Sequence, residues 1–146
     1  MPCGYLDHTT DDQGAPMAEP KLSDRSAERI GWLTTVTPKG RPAPRPVWFV
    51  LDGADIVVFS KPDTAKLRHI EANPEVSFHL NGNESGGAIL VVNGKAHVEE
   101  GKASEAPGYL DKYGPAYAAI GFETPDAFDA EYSVRIRLVP DRTWGW

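Results

Sequence analysis

The chain has 146 residues and a formal net charge of −6, with a pI near 5.1, a size that fits one domain with a real core. This acidic balance excludes a general nucleic-acid binder, whose affinity rests on a basic face that neutralises phosphates. Cys3 is the sole cysteine, which excludes an internal disulfide framework, and no stretch approaches the roughly 18 apolar residues of a membrane span, so a reducing cytoplasmic setting without a membrane partner is expected.

Residues 1–22 mix Pro2, Gly4, Gly14, Pro16 and Pro20 with Asp7, Asp11 and Asp12. That composition buries too little apolar surface to order itself, so a flexible tail is expected ahead of a single domain over 23–146. Ser23 to Ile30 opens on a capping residue and reads as a short first helix ended by Gly31. Trp32 to Thr37 is β-branched and aromatic, and Pro38-Lys39-Gly40 is a turn before a second extended run, Pro42 to Leu51. Asp52-Gly53 turns the chain again into a third strand, Asp55 to Ser60. A helix over Asp63 to Ala72 follows, with Leu67 and Ile70 on one face, stopped by Asn73-Pro74.

Glu75 to Leu80 alternates as a strand, and Asn81 to Gly87 is a polar turn before Ala88 to Val92. Asn93-Gly94 signals a hairpin to Lys95 to Glu100. Ala103 to Phe128 reads as one or two short helices broken by Pro107, Gly114 and Pro115. Tyr132 to Val139 is the last strand, with Val134, Ile136 and Leu138 facing inward and Arg135 and Arg137 outward. The fold expected is mainly β with short helices, an α+β chain of six or seven antiparallel strands closing into a barrel.

The segment from Phe59 to His69 combines Ser60 and Thr64 with Lys61, Lys66 and Arg68 around a helix start. Helix N-termini carry free N–H groups and partial positive charge, so cations clustered there point to an anion such as a phosphate. The same residues also read as an ordinary surface helix capped by Asp63 or Thr64 with its cations in water. His79 and His97 each stand alone on a strand, the acids show no ligand spacing, and no metal site is assigned. No nucleophile constellation is present either, since the serines lack a glycine-rich elbow.

Leu33-Thr34-Thr35-Val36-Thr37-Pro38-Lys39-Gly40-Arg41-Pro42, Pro46-Val47-Trp48-Phe49 with Asp52-Gly53, Phe59-Ser60 through Thr64-Ala65-Lys66, Asn73-Pro74, Arg135-Ile136-Arg137 and Trp144-Gly145-Trp146 together resemble the split-barrel flavin- and deazaflavin-binding proteins related to pyridoxamine-phosphate oxidase. The pattern is most similar to their small actinobacterial branch, which uses coenzyme F420. The resemblance spans residues 23–100 and the last strand, and implies an FMN-binding type of split barrel. By this likeness the backbone of Pro46, Val47 and Trp48 would line the cofactor ring, and Arg45, Ser60, Thr64 and Lys66 would hold its phosphate, with Lys61 or Arg68 compensating for missing cations. Val50 and Ala65 stand where the flavin-oxidase branch carries a lysine and an arginine. That departure favours the deazaflavin coenzyme over flavin mononucleotide, FMN.

Trp48 reads equally as a ring-lining residue and as core, because a tryptophan in an alternating strand packs inward. Lys39 and Arg41 read either as further cations for an acidic coenzyme tail or as a solvated turn. Trp144 and Trp146 read either as a stacking wall or as closure of the barrel base. The function expected by resemblance is an F420-dependent oxidoreductase passing hydride between the reduced deazaflavin and a small organic acceptor, working as a homodimer with the cofactor groove between subunits. The alternatives are an FMN enzyme of the pyridoxamine-phosphate-oxidase kind and a non-catalytic flavin, deazaflavin or haem binder.

Overall fold

The computed structural model describes residues 21–146, so most of the expected tail over 1–22 lies outside the described residues. Seven strands, β1 (Gly31–Val36), β2 (Pro42–Val47), β3 (Val50–Asp52), β4 (Asp55–Ser60), β5 (Glu75–Leu80), β6 (Leu90–Glu100) and β7 (Val134–Gly145), form one sheet in the order β2-β1-β5-β6-β7-β4-β3. Every neighbouring pair is antiparallel. The two edge strands, β2 and β3, are joined only by Trp48 and Phe49. A flat sheet of seven strands would hold its edges about 29 Å apart at 4.8 Å per spacing. Three Cα steps span at most about 11 Å. The sheet is therefore rolled into a barrel whose seam lies between β2 and β3.

The expected single run from Pro42 to Leu51 is thus two strands, because the chain changes edges at Trp48-Phe49. The expected helix over 23–30 is also corrected. Only Leu22–Arg25 makes a 3-10 turn, since so short a helix is marginal alone and the following segment is held by other partners. The Lys112 ammonium donates to Ser26 O at 2.8 Å and the Tyr113 hydroxyl to Arg29 O at 2.7 Å.

A third correction concerns Asn93-Gly94, which lies inside the continuous strand β6 as a bulge against β7. Gly94 does not have the left-handed φ that a tight type I′ turn needs. It is required because β7 passes too close, a Cβ there falling 2.2 Å from Val139 O. The last strand also runs past Val139 to Gly145, and Trp146 exchanges both backbone hydrogen bonds with Ile89 at 2.8 and 3.1 Å. Ala88, the expected start of the preceding strand, has a positive φ of 54° and precedes β6.

Helix α1 (Ala65–Ala72) sets Leu67 and Ile70 against the barrel core with Phe49, Phe78, Leu90 and Ile136. The Thr35 hydroxyl, buried in β1, meets His69 Nδ1 at 2.9 Å and fixes the helix to the wall. β4 is buried on both faces, which explains its continuous apolar run. Ile56 and Val58 face the barrel core. Val57 and Phe59 face a second core built with 3-10 turns and two helices, α2 (Tyr109–Tyr113) and α3 (Pro125–Glu131).

Candidate functional site

A cavity of about 440 Å³ opens between the barrel wall and this helical layer. Its barrel side is made by Pro46, Val47 and Trp48 at the end of β2, Phe59 on β4, and Lys66 in the first turn of α1. Its helical side is Tyr109, Ile120, Phe128 and Tyr132, with Ile30 at the margin. Alternation places these residues: Val47 ends a strand paired in register with Gly31 of β1, and the next two residues must cross the seam, which turns Trp48 out of the barrel toward the helices.

Trp48 is both wall and core. Its indole stacks on Tyr113 with ring centroids 4.5 Å apart at 4°, and Phe128 lies near-parallel to it at 6.0 Å. Phe128 in turn stacks on Tyr117 at 4.4 Å and Tyr132 at 4.6 Å. The Tyr113 hydroxyl accepts the Phe49 N–H at 2.9 Å while bonded to Arg29 O, and the Lys112 ammonium donates to Phe49 O at 2.8 Å. The seam residues beside the cavity are therefore clamped by α2. Burial, helped by the Arg29 guanidinium, pulls the Lys112 pKa down to about 8.

At the helix start, the Ser60 hydroxyl is buried, donates to Lys61 O at 2.8 Å and meets the Thr64 hydroxyl at 2.9 Å. Thr64 occupies the cap position of α1 without capping it through its side chain, so first-turn N–H groups of α1 keep no side-chain acceptor there. Asp63, the other expected cap, adopts a left-handed φ of 62° and gives its carbonyl to the Arg68 guanidinium at 2.7 Å. Lys66 has its pKa lowered, first by burial and then by the Arg45 charge. Two cations held close together beside uncapped amides suit an anionic group, which would relieve both effects.

Of the residues singled out in the sequence, Pro46, Val47, Trp48 and Lys66 line the same cavity. Ser60 and Thr64 sit behind Lys66 as a hydroxyl pair, and Arg45 approaches from β2, its Nη1 bonded to Pro44 O at 2.7 Å. Lys61 turns the other way, pairing with Glu131 of α3 at 3.5 Å and lying 5.6 Å over the Tyr132 ring. Arg68 is occupied by the Asp63 carbonyl, and Lys39 and Arg41 stay on the exposed β1–β2 turn, where the Thr37 N–H donates to Arg41 O and the Arg41 N–H donates to the Thr37 hydroxyl. Val50, standing where a cation was expected in the oxidase pattern, is buried in the second core.

Sequence reasoning missed Tyr109, Ile120, Phe128 and Tyr132. The available signal was the four-residue spacing of Tyr109, Tyr113 and Tyr117, an aromatic stripe at helical period. Among the described residues no group of three His, Cys, Asp or Glu side chains converges as a metal site, and no helix is long and apolar enough to cross a membrane.

A family model described as pyridoxamine 5'-phosphate oxidase matches residues 18–146. Among solved structures, an F420 reductase is 26% identical, with 87% of this chain and 98% of that chain covered and a TM-score of 0.65. A conserved hypothetical protein from Mycobacterium tuberculosis is 23% identical over 88% of this chain and 85% of that chain, with a TM-score of 0.66. A haem storage protein from Vibrio cholerae is 20% identical over 85% and 94% of the two chains, with a TM-score of 0.58. The last two likenesses concern the fold alone. No curated protein matches the chain.

Proposed function

The chain belongs to the pyridoxamine 5'-phosphate oxidase family of split barrels, and from that premise we propose that it is a coenzyme F420-dependent oxidoreductase acting on a small organic acceptor. The observation that carries this reading is the meeting of Pro46, Val47 and Trp48 with Lys66 on one cavity. A bound deazaflavin supplies the hydride chemistry itself. The chain's own part is to bind, orient and exclude water.

The backbone of Pro46 to Trp48 lines the ring. Lys66, with Arg45 beside it and the Ser60–Thr64 hydroxyl pair behind it, holds the phosphate, while Lys61 stays paired with Glu131. Tyr109, Phe128 and Tyr132 keep the opposite wall aromatic and dry. The deazaflavin is favoured over FMN because Val50 and Ala65 replace two cations of the oxidase pattern, and because the likeness to the F420 reductase spans nearly all of that chain. A homodimer would bring its partner to a face of the barrel, since β2 is a poor edge for strand pairing. Thr37 N–H bonds Arg41 O at 2.8 Å, which sets the ladder phase so that Ala43, Arg45 and Val47 turn their amides to β1. The outward positions are Pro42, Pro44 and Pro46, which have no N–H to give.

Parallel fluorescence titrations of the purified protein with coenzyme F420 and with FMN at fixed salt test the assignment. Tighter binding of the deazaflavin is expected. Preference for FMN would move the protein to the oxidase-like branch, and binding of neither would overturn the reading.

A further inference from the structure

The chain has four asparagines, Asn73, Asn81, Asn83 and Asn93, and the fold treats them differently. An asparagine side chain cyclises only when the backbone nitrogen of the next residue reaches its Cγ, so that residue must own an N–H and turn freely. Pro74 has no N–H to give after Asn73. Glu84 carries a Cβ after Asn83, whose side-chain oxygen is held across a turn by the Ser85 and Gly87 N–H groups at 3.0 and 2.8 Å. Asn93-Gly94 lies inside β6 with both residues paired to β5 and to β7, and Gly94 is closed in by Val139 O. Asn81-Gly82 escapes each of these restraints. Both residues are exposed just past the end of β5, and the Gly82 N–H makes no hydrogen bond among the described residues. The glycine is also required, since a Cβ there would fall 2.8 Å from Gly87 O. On the other side, the Trp32 indole N–H donates to Asn81 Oδ1 at 3.0 Å. An indole only donates, so this contact fixes which atom of the amide is the oxygen.

We propose that Asn81 is a site of spontaneous deamidation, set by the unbonded Gly82 nitrogen on one side of its amide and the Trp32 indole on the other. The Gly82 nitrogen gives its proton to water and bonds to Asn81 Cγ, the Cγ–Nδ2 bond breaks, and ammonia leaves. Water then opens the cyclic imide at either carbonyl. The product is aspartate or isoaspartate, with one water taken up for one ammonia released. Negative charge develops on Oδ1 as the nitrogen adds, and the indole N–H already points at that atom, as a donor in an oxyanion hole does. The new carboxylate also forms beside a cation. Arg25, which pairs with Glu28, donates to Asn81 O at 3.0 Å and to Ala88 O at 2.6 Å. Trp32 is in turn the cross-strand partner of Pro46, so the change of charge falls one strand away from the cavity wall.

All four asparagines lie between Arg68 and Lys95, so one tryptic peptide carries them. Fragmentation of that peptide, after ageing of the full-length protein, reads each site by the mass gained when NH2 becomes OH. In the folded protein, conversion is expected at Asn81 and not at Asn73, Asn83 or Asn93. In urea, where the ladders are gone, Asn93 is expected to convert as Asn81 does. Trp32→Phe, which removes the indole donor, is expected to slow conversion at Asn81 by about fivefold, the rate equivalent of one neutral hydrogen bond. Asn81→Gln is expected to abolish it. A urea melt of Trp32→Phe checks that this variant is folded, and the wild-type pattern decides without it where it is not. Three results would overturn the proposal: conversion at Asn83 or Asn93 ahead of Asn81 in the folded protein, an intact Asn81 over a period in which the urea sample converts, or a folded Trp32→Phe as fast as wild type.

Discussion

Lys66 is half-withdrawn from water with the Arg45 charge beside it, an arrangement that costs free energy until an anion arrives. On the proposed reading, Lys66→Ala weakens coenzyme F420 binding by about 1.5–3 kcal/mol, the worth of a charge-assisted bond, and Thr64→Ala weakens it less. Fluorescence titration decides, and an unchanged dissociation constant removes Lys66 from the site. Lys112 gives a pH signature of its own. Folded, it titrates near 8, against 10.5 as its ordinary value, so between those limits the unfolded chain binds more protons and stability rises with pH. Tyr113 and Tyr117, pushed up to about 12 by burial, take stability away only above about pH 10, where unfolded tyrosines ionise. Urea midpoints taken at about pH 7.5 and about pH 9.5 should therefore show wild type gaining on Lys112→Met as pH rises. A constant gap would contradict the burial of that ammonium. At this scale the barrel side of the cavity was legible, because Pro46 to Trp48 and Lys66 belong to local motifs. The tyrosine wall was not, because its role depends on which face of the barrel the helices cover.

Elements whose cause is local were read with little error: α1 between its cap and Asn73-Pro74, β5 by alternation, and β4 by its apolar run. Asn93-Gly94 was misread because its determinant is not local. The glycine is demanded by the backbone of β7 lying against it, from residues more than forty positions away. The segment 23–30 failed for the same reason, its partners being Lys112 and Tyr113 of α2. β2 shows the reverse case, in which a one-dimensional pattern carries a three-dimensional instruction. Alternating prolines on its outward positions leave no free donors, so Pro44→Val is expected to restore one outward amide and promote self-association by strand addition. Sedimentation of the variant against wild type over a concentration series checks this, and identical sedimentation would count against the edge argument.

The molecule as a whole consists of two cores, with β4 contributing to both. The barrel was foreseeable, since consecutive strands joined by tight turns leave few other topologies. The second layer was not, because residues 103–128 carried no motif, although Phe128, 2% exposed, sits at its centre. Phe128→Ala is expected to cost about 3–5 kcal/mol and to loosen coenzyme binding, as denaturant melts and the coenzyme titration would show. Finally, the seam between β2 and β3 sets a clock. β2 owns only the amides of Ala43, Arg45 and Val47, and all of them turn toward β1. An outer strand normally exchanges its hydrogens with solvent quickly, but this one can do so only when the β1–β2 ladder itself parts. Deuterium uptake at those amides therefore times the breathing of the barrel at the strand that ends in Val47, beside the cavity.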